Sequence, residues 1–320
     1  MLASGQSIGR LRRRGGAGRV HTGPPVRTEP TFLGGHRTSD CGYGYDIVAA
    51  LRREELREFG ARLSDHREMK GCGRKIRKGR VGSATEILEV TTSCRLKWLC
   101  PSCGHVASRR EAARLKRRLR AWTTNGGAVA LLTLTQSHCL DDGLAQLWSR
   151  LEAGWAALVR GSGWAADKRT YGIRGYVRIA EVVHHPATGW NVHFHVILLL
   201  DRALDQPDLN ELRASLAARF ARGVHCKGGH ATLGGQDFRP MTPGTEGALA
   251  NYLFKGTTMR WCLDGSRTPM AILNDLESTG EGLALWDELT TGVSANKRMQ
   301  VITSRGIDCL CTAPRHYLDR

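Results

Sequence analysis

Residues 192–200, VHFHVILLL, constrain the fold more than any other stretch of this chain. They are highly apolar and follow the turn formers His185-Pro186-Ala187-Thr188-Gly189, so they predict a strand on the return arm of a hairpin. The outgoing arm is residues 176–183, YVRIAEVV, which alternate as a strand should. Side chains two apart leave a strand on the same face. His193 and His195 therefore share a face, while Phe194 points the other way, into the core. Two imidazoles so placed can bind one divalent ion. Zinc, manganese or magnesium could occupy the site, though imidazole discriminates against magnesium by softness. Glu181 on the outgoing arm reaches the same ion if the two strands pair. Three protein ligands with open positions describe a catalytic metal site, because substrate oxygen must take a coordination place. The plainer alternative is a pair of half-buried strand histidines. His184 and His185 are adjacent, face opposite ways and suit a turn better than a site.

The surrounding chain supplies both strands and helices. Residues 128–135 (AVALLTLT) are rich in apolar and β-branched types and too short for a buried helix, so they predict a central strand. A helix is predicted over 45–70, with Leu51, Leu56, Phe59 and Leu63 on one face, and a strongly basic one over 106–122, ended by Gly126 and Gly127. Residues 141–159 form an amphipathic helix with Leu144, Leu147, Trp148, Leu151 and Trp155 along one side; 208–222 and 246–255 are also helical. Residues 87–90 read as a strand and the glycine-rich run 223–236 as a loop with at most one strand. The order strand, helix, strand, hairpin, strand, helix, loop, helix predicts an α+β fold: a central antiparallel sheet with flanking helices, preceded by a small Cys-rich zinc-binding segment. Four segments follow: a disordered basic arm (1–40), a helical and Cys-rich DNA-binding segment (41–122), the body bearing the histidines (123–260) and a C-terminal extension (261–320).

Charge narrows the partner. The 320 residues carry 47 Lys and Arg against 30 Asp and Glu, a formal net charge of +17. Such a surface favours a polyanion, because each neutralised phosphate releases counterions. The cations recur inside the body, at 52–57, 70–80 and 109–120. The N-terminus lacks the apolar run of an export signal, and no stretch approaches the roughly 18 apolar residues needed to span a bilayer. Glycine and proline interrupt any amphipathic transit helix in 1–28. A cytoplasmic chain without a membrane partner is the expectation.

Ten cysteines in such a chain point to metal rather than disulfides. Cys100-Pro101-Ser102-Cys103 is a knuckle that, with Cys94 and Cys72, could offer four thiolates to a structural zinc; His105 is a rival fourth ligand. The helix that follows, with Arg109, Arg110, Arg114, Arg117 and Arg118, is a DNA-contacting element or a solvated basic face. Further on, Tyr252 and Lys255 lie one helical turn apart, with Leu249 and Leu253 anchoring the other side. A phenol is a poor nucleophile near neutral pH unless a cation or base helps it, and Lys255 or a nearby metal could do so.

Taken together, these residues resemble the rolling-circle plasmid replication initiators of the HUH endonuclease superfamily, single-tyrosine type, and especially an actinobacterial plasmid branch. The threonine-bearing apolar strand of that family is matched by Leu131-Leu132-Thr133-Leu134-Thr135, and its metal motif by Gly189-Trp190-Asn191-Val192-His193-Phe194-His195. Glu181 matches the acid of the preceding strand, and Tyr252 with Lys255 the tyrosine motif. Arg267-Thr268-Pro269 and Leu285-Trp286-Asp287-Glu288-Leu289 also resemble this group. The resemblance implies that 123–260 is a nicking domain using manganese or magnesium, in which Tyr252 attacks single-stranded or cruciform origin DNA. A 5′-phosphotyrosine and a free 3′-OH result, the latter for a host polymerase, with a host helicase and an oligomer on DNA as further partners. Many relatives place a glutamate one turn before the tyrosine to activate the terminating water; here that position is Ala248, and Glu246 would have to act from the helix start. Relaxases and single-tyrosine transposases share this chemistry. A non-catalytic zinc-ribbon DNA-binding regulator and a water-using metal phosphodiesterase are the rivals of other kinds.

Overall fold

The computed structural model describes residues 42–78, 88–254, 259, 262, 264–294 and 300–312. Contacts divide the chain into Met1–Tyr45 and Asp46–Arg320. The predicted arm 1–40 lies outside the described residues. In order, the elements are α1 (Gly42–Leu63), α2 (Arg67–Lys70), β1 (Lys75–Lys78), β2 (Leu88–Thr91), α3 (Pro101–Thr124) and β3 (Ala128–Leu134). Then come α4 (Leu144–Leu158), α5 (Gly161–Thr170), β4 (Ile173–His185), β5 (Gly189–Leu200), α6 (Gln206–His225) and β6 (Asp237–Pro240). The chain continues through α7 (Glu246–Leu253), α8 (Pro269–Thr279), α9 (Leu283–Ser294), β7 (Val301–Thr303) and α10 (Ile307–Thr312).

The fold is α+β, as predicted. Five strands form an antiparallel sheet in the order β6-β3-β5-β4-β7, and β1 with β2 form a separate two-stranded ribbon. Alternation along β5 splits the core in two. Phe194, Val196 and Leu198 face one helical layer, where α4 and α6 contribute Trp148, Leu151, Trp155 and Phe220. Ile197 and Leu199 face the other, where α3, α7 and α10 contribute Leu115, Leu119, Trp122, Leu249, Leu253 and Ile307. The two long central strands are buried on both faces, which is why the return arm reads as nearly continuous apolar sequence.

Some local readings shift. The helix predicted over 45–70 is broken at residues 64–66, and its buried side runs through Leu56 and Arg57. Leu51 and Leu63 of the predicted face are exposed. Arg57 donates to Cys72 O at 2.6 Å and pairs with Glu54, so a buried cation ties α1 to the cysteine segment. The basic helix begins earlier than predicted, because Pro101 takes its first turn and Cys100 its N-cap. At its other end Gly127 is required by contact: a Cβ there would lie 2.3 Å from Trp122 Nε1, which donates to Ala128 O and Leu200 O. The loop predicted from 223 starts later. α6 continues through Gly223, a site of close approach rather than a helix end.

A Cβ on Gly223 would lie 2.4 Å from Ala153 O and 2.7 Å from Gly154 Cα, both α4 backbone. Alanine is intrinsically better than glycine in a helix by about 1 kcal/mol. Gly223→Ala is nonetheless expected to destabilise the protein by about 2 kcal/mol, because the clash is with backbone that cannot swing aside. Chemical denaturation checks this; stability at or above wild type would mean that α4 and α6 separate freely.

Candidate active site

The β4–β5 register sets Glu181 directly opposite His193, and β3–β5 sets Thr133 opposite His195. All four side chains leave the sheet on the α3/α7 face. Glu181 Oε2 lies 3.1 Å from His193 Nε2 and 2.9 Å from His195 Nε2, and the two Nε2 atoms are 3.2 Å apart. Glu181 and His195 are buried, and His193 is nearly so. Burial works to raise the Glu181 carboxyl, but both imidazoles, by hydrogen bond and charge, hold it well below the usual carboxylate range.

These distances suit a shared cation. Ligand atoms about 2.0–2.1 Å from one ion stand roughly 3.0–3.4 Å from each other, depending on coordination number. If both histidines instead donated N–H to Oε2, the donors would converge at roughly 64° on one oxygen, crowding their protons. His195 Nδ1 meets Thr133 Oγ1 at 3.3 Å, an outer partner of the kind that orients a ligating ring. Thr133 comes from the threonine-bearing strand β3. His138, in the loop after β3, belongs to no motif legible in the sequence. Burial lowers its pKa, Gln136 O works against that, and His193 is close enough to lower it further.

Tyr252 reaches this cluster from α7. Its ring meets the His195 ring edge-on, with centroids 5.9 Å apart and planes 64° apart. Leu249 and Leu253 are buried against the sheet, fixing the helix face. Lys255 lies outside the described residues. Glu246 is placed differently from the rest: it is buried at the first turn of α7, accepting from Thr123 Oγ1 at 3.1 Å and Gly244 N at 3.1 Å. Its carboxylate braces the start of α7 against the end of α3, six residues before the tyrosine.

The motifs beyond the hairpin have structural work. Glu288 Oε2 accepts from Trp190 Nε1 at 2.8 Å and its Oε1 from Leu144 N at 2.6 Å, joining β5 to the start of α4. Arg267 pairs with His184 through both backbone bonds, lengthening the β4 edge, and Thr268 caps α8 by accepting from Ala271 N. His184 is thus a buried strand residue rather than part of a turn. Burial and Arg267 push its pKa down to about 4.

The second cluster lies at the root of the ribbon. Cys72, Cys94, Cys100 and Cys103 converge, with Sγ separations of 3.8 Å (72–100), 3.5 Å (72–103) and 3.6 Å (94–103). A disulfide needs about 2.05 Å. Four sulfurs about 2.3 Å from a tetrahedral zinc stand about 3.8 Å apart, so the donor set fits that ion. Cys72 occupies the fourth place; His105 is not in the group. Arg95 takes a left-handed backbone (φ 59°), and its N–H supports the Cys103 sulfur, whose thiolate form is stabilised chiefly by Cys100 and Cys94. Cys94 is pushed up to about 12, with Cys100 lowering it and Cys103 raising it. Sulfurs this crowded cannot all ionise without a cation between them.

Of the arginines on α3, Arg109, Arg110, Arg114 and Arg117 are exposed. Arg118 departs from the predicted DNA face: it is buried, and its Nε donates to Asp308 at 2.7 Å. Its position one step round the helix from Arg117 turns it towards α10.

Residues 85–204 match the family described as replication protein. That span holds the three-residue cluster on β4 and β5, Thr133, and three of the four cysteines; Cys72 and Tyr252 lie outside it. The chain is 29% identical over 131 residues to a "Neomycin resistance protein" of Streptomyces cyanogenus, covering 33% of this chain and 30% of that one. It is 25% identical over 144 residues to "Protein rep" of Streptomyces lividans, covering 37% and 32%. The chain thus spans about a third of the length of these curated relatives. No solved structure matches it. Among the described residues, no helix is long and apolar enough to cross a membrane.

Thr133→Val is expected to weaken divalent-metal binding at the Glu181–His193–His195 cluster by about 10- to 100-fold, since the His195 ring loses its outer partner. Titration with cobalt(II), followed by absorption, checks this. Unchanged affinity would show that Thr133 packs without orienting.

Proposed function

We propose that the protein initiates plasmid replication by nicking single-stranded or cruciform origin DNA with Tyr252. One observation carries the reading: a tyrosine on a helix lies edge-on against one member of a buried Glu-His-His cluster whose spacing fits one divalent ion. The replication-protein match over the same strands, and the relative called "Protein rep", support the process.

The roles of the residues follow from their placement. Glu181, His193 and His195 would hold manganese or magnesium, and the bound ion would polarise a phosphate oxygen and offset charge in the transition state. Thr133 would keep the His195 ring turned inward. Tyr252 loses its phenol proton and its oxygen bonds to phosphorus; the P–O3′ bond breaks, and the released 3′ oxygen takes up a proton. The products are a 5′-phosphotyrosine and a free 3′-OH that a host polymerase can extend, with a host helicase opening the duplex ahead. Lys255, one turn beyond the tyrosine in sequence, is assigned to the scissile phosphate. Arg109, Arg110, Arg114 and Arg117 are assigned to the DNA backbone, and the four cysteines to a structural zinc. Glu246 braces two helices, so the group that activates the terminating water is sought elsewhere, with His138 the first to test.

The test is a denaturing gel of wild type and Tyr252→Phe with a labelled single-stranded origin oligonucleotide and manganese or magnesium, with and without EDTA. The expected result is a covalent adduct with wild type only, abolished by EDTA. Cleavage surviving Tyr252→Phe would replace this reading with a water-using nuclease. Binding without any cleavage would replace it with a non-catalytic regulator.

A further inference from the structure

The two-stranded ribbon β1–β2 plays no part in the chemistry above. It pairs Lys75 with Thr91 and Ile76 with Val90, and forms no hydrogen-bonded continuation of the five-stranded sheet. Successive strand residues point to opposite faces. Here Lys75 and Thr91 are exposed on one face, and Ile76 and Val90 (39% and 38%) on the other, so both faces meet solvent. An isolated hairpin of this size is marginal in water. This one is fastened at its root. Gly73 N donates to Thr92 O, Thr92 N donates to Arg74 O, and Thr92 Oγ1 donates to Gly71 O. Cys72, three residues before the first strand, and Cys94, three residues after the second, join the four-sulfur cluster.

A solvent-facing ribbon fastened at its root is suited to a partner, and charge points to its kind. Residues 70–91 hold six cations (Lys70, Arg74, Lys75, Arg77, Lys78, Arg80) against two acids, Glu86 and Glu89, the latter opposite Arg77 in the register. Arg67, Lys70, Arg74, Lys75 and Arg95 are exposed around the root, and among the described residues none of the five is in an ion pair. On the adjoining helix, Glu54 and Glu58 are engaged by Arg57 and Glu55 by Arg52, while Glu68 of α2 is exposed beside Arg67 and Lys70. A ribbon of two strands about 4.8 Å apart, widened by its side chains, matches the roughly 12 Å major groove of B-DNA, which admits a β-ribbon. Single strands offer no groove to fill.

We propose that the β1–β2 ribbon is a duplex-DNA docking site, separate from the tyrosine centre, which enters a groove while Arg74 and Lys75 contact backbone phosphates. This deepens the reading of DNA as the partner, assigning duplex to the ribbon and the nicked single strand to the sheet. The four-sulfur metal cluster would act as the anchor that keeps the ribbon's direction fixed.

The experiment measures fluorescence anisotropy of a short labelled duplex, and of one of its single strands, across a salt series with the full-length metal-loaded protein. Arg74→Ser/Lys75→Ser is compared with Arg74→Lys/Lys75→Arg and with Lys168→Ser/Arg169→Ser, which removes the same charge from exposed positions on α5. The serine pair in the ribbon is expected to weaken duplex binding by about tenfold and to lower the salt slope by about 2, one phosphate per residue. Single-strand binding, zinc content and circular dichroism should match wild type, and the other two variants should bind duplex as wild type does. Duplex affinity and slope unchanged in the ribbon variant would overturn the proposal. An equal loss in the α5 variant, or a parallel loss of single-strand binding, would overturn it too, reducing the effect to general charge. Failure of wild type to form a tyrosine adduct would count against the nicking reading alone, because this assay reads binding.

Discussion

The pairing of β4 with β5 is the constraint on which the candidate site rests. It sets Glu181 opposite His193 and leaves His195 one strand repeat away, so three donor atoms meet within 3.2 Å. A slip by one residue would send the cluster to the α4/α6 face and Phe194 to the other. What forbids the slip is burial on both sides. Phe194 packs between Trp155, at 6.4 Å, and the guanidinium of Arg178, 4.0 Å above its ring. Arg178 is itself fully buried and pairs with Glu152 of α4. Moving it to the other face would strand a charge without its carboxylate, at a cost of several kcal/mol. The side of the hairpin that carries Glu181, His193 and His195 is therefore held in place largely from behind.

The C-terminal chain fastens the same hairpin from its ends. Glu288 of α9 receives Trp190 at the start of β5 and caps α4, while Arg267 adds a bridge at the end of β4. β7 covers the outer edge of β4 beside Arg178 and Ile179. These elements lie far from His193 and His195 in sequence. Their work is to limit how far the hairpin can twist or fray, and fixed ligands bind an ion more tightly than ligands that must first be ordered.

Much of this is legible in the sequence, for a physical reason. A strand buried on both faces must be apolar, so polar residues within it stand out: the period of two then put His193 and His195 on one face, and the turn at 185–189 brought Glu181 back to them. The cysteines were legible by chemistry, although the choice of Cys72 over His105 depended on a return of the chain that spacing does not reveal. What stayed hidden was set by tertiary contact. Gly223 looks like a helix stop and is instead a point where two helices touch. Arg118 looks like its exposed neighbours, and only the position of Asp308 on α10 turns it inward. Glu246 resembles a catalytic acid by its distance from Tyr252, but Thr123 claims it. β6, β7 and β1 are four residues or fewer, too short for periodicity to register.

The two donor clusters differ in a way that bears on what each can do. Four sulfurs would fill the tetrahedral set of a bound zinc and leave no position for substrate, so that cluster would serve to hold chain segments together. The segments it holds are the roots of the ribbon and the first turn of α3, the helix that also packs on α7. The Glu-His-His cluster would supply three ligands to one ion and leave the rest of its coordination sphere open, beside a tyrosine. A mechanical link follows, because α3 is anchored by the first cluster at its start and, through Thr123 and Glu246, braces the first turn of the tyrosine helix at its end. Loss of the closed site would loosen the helix that sets where Tyr252 stands, without altering any ligand of the open one.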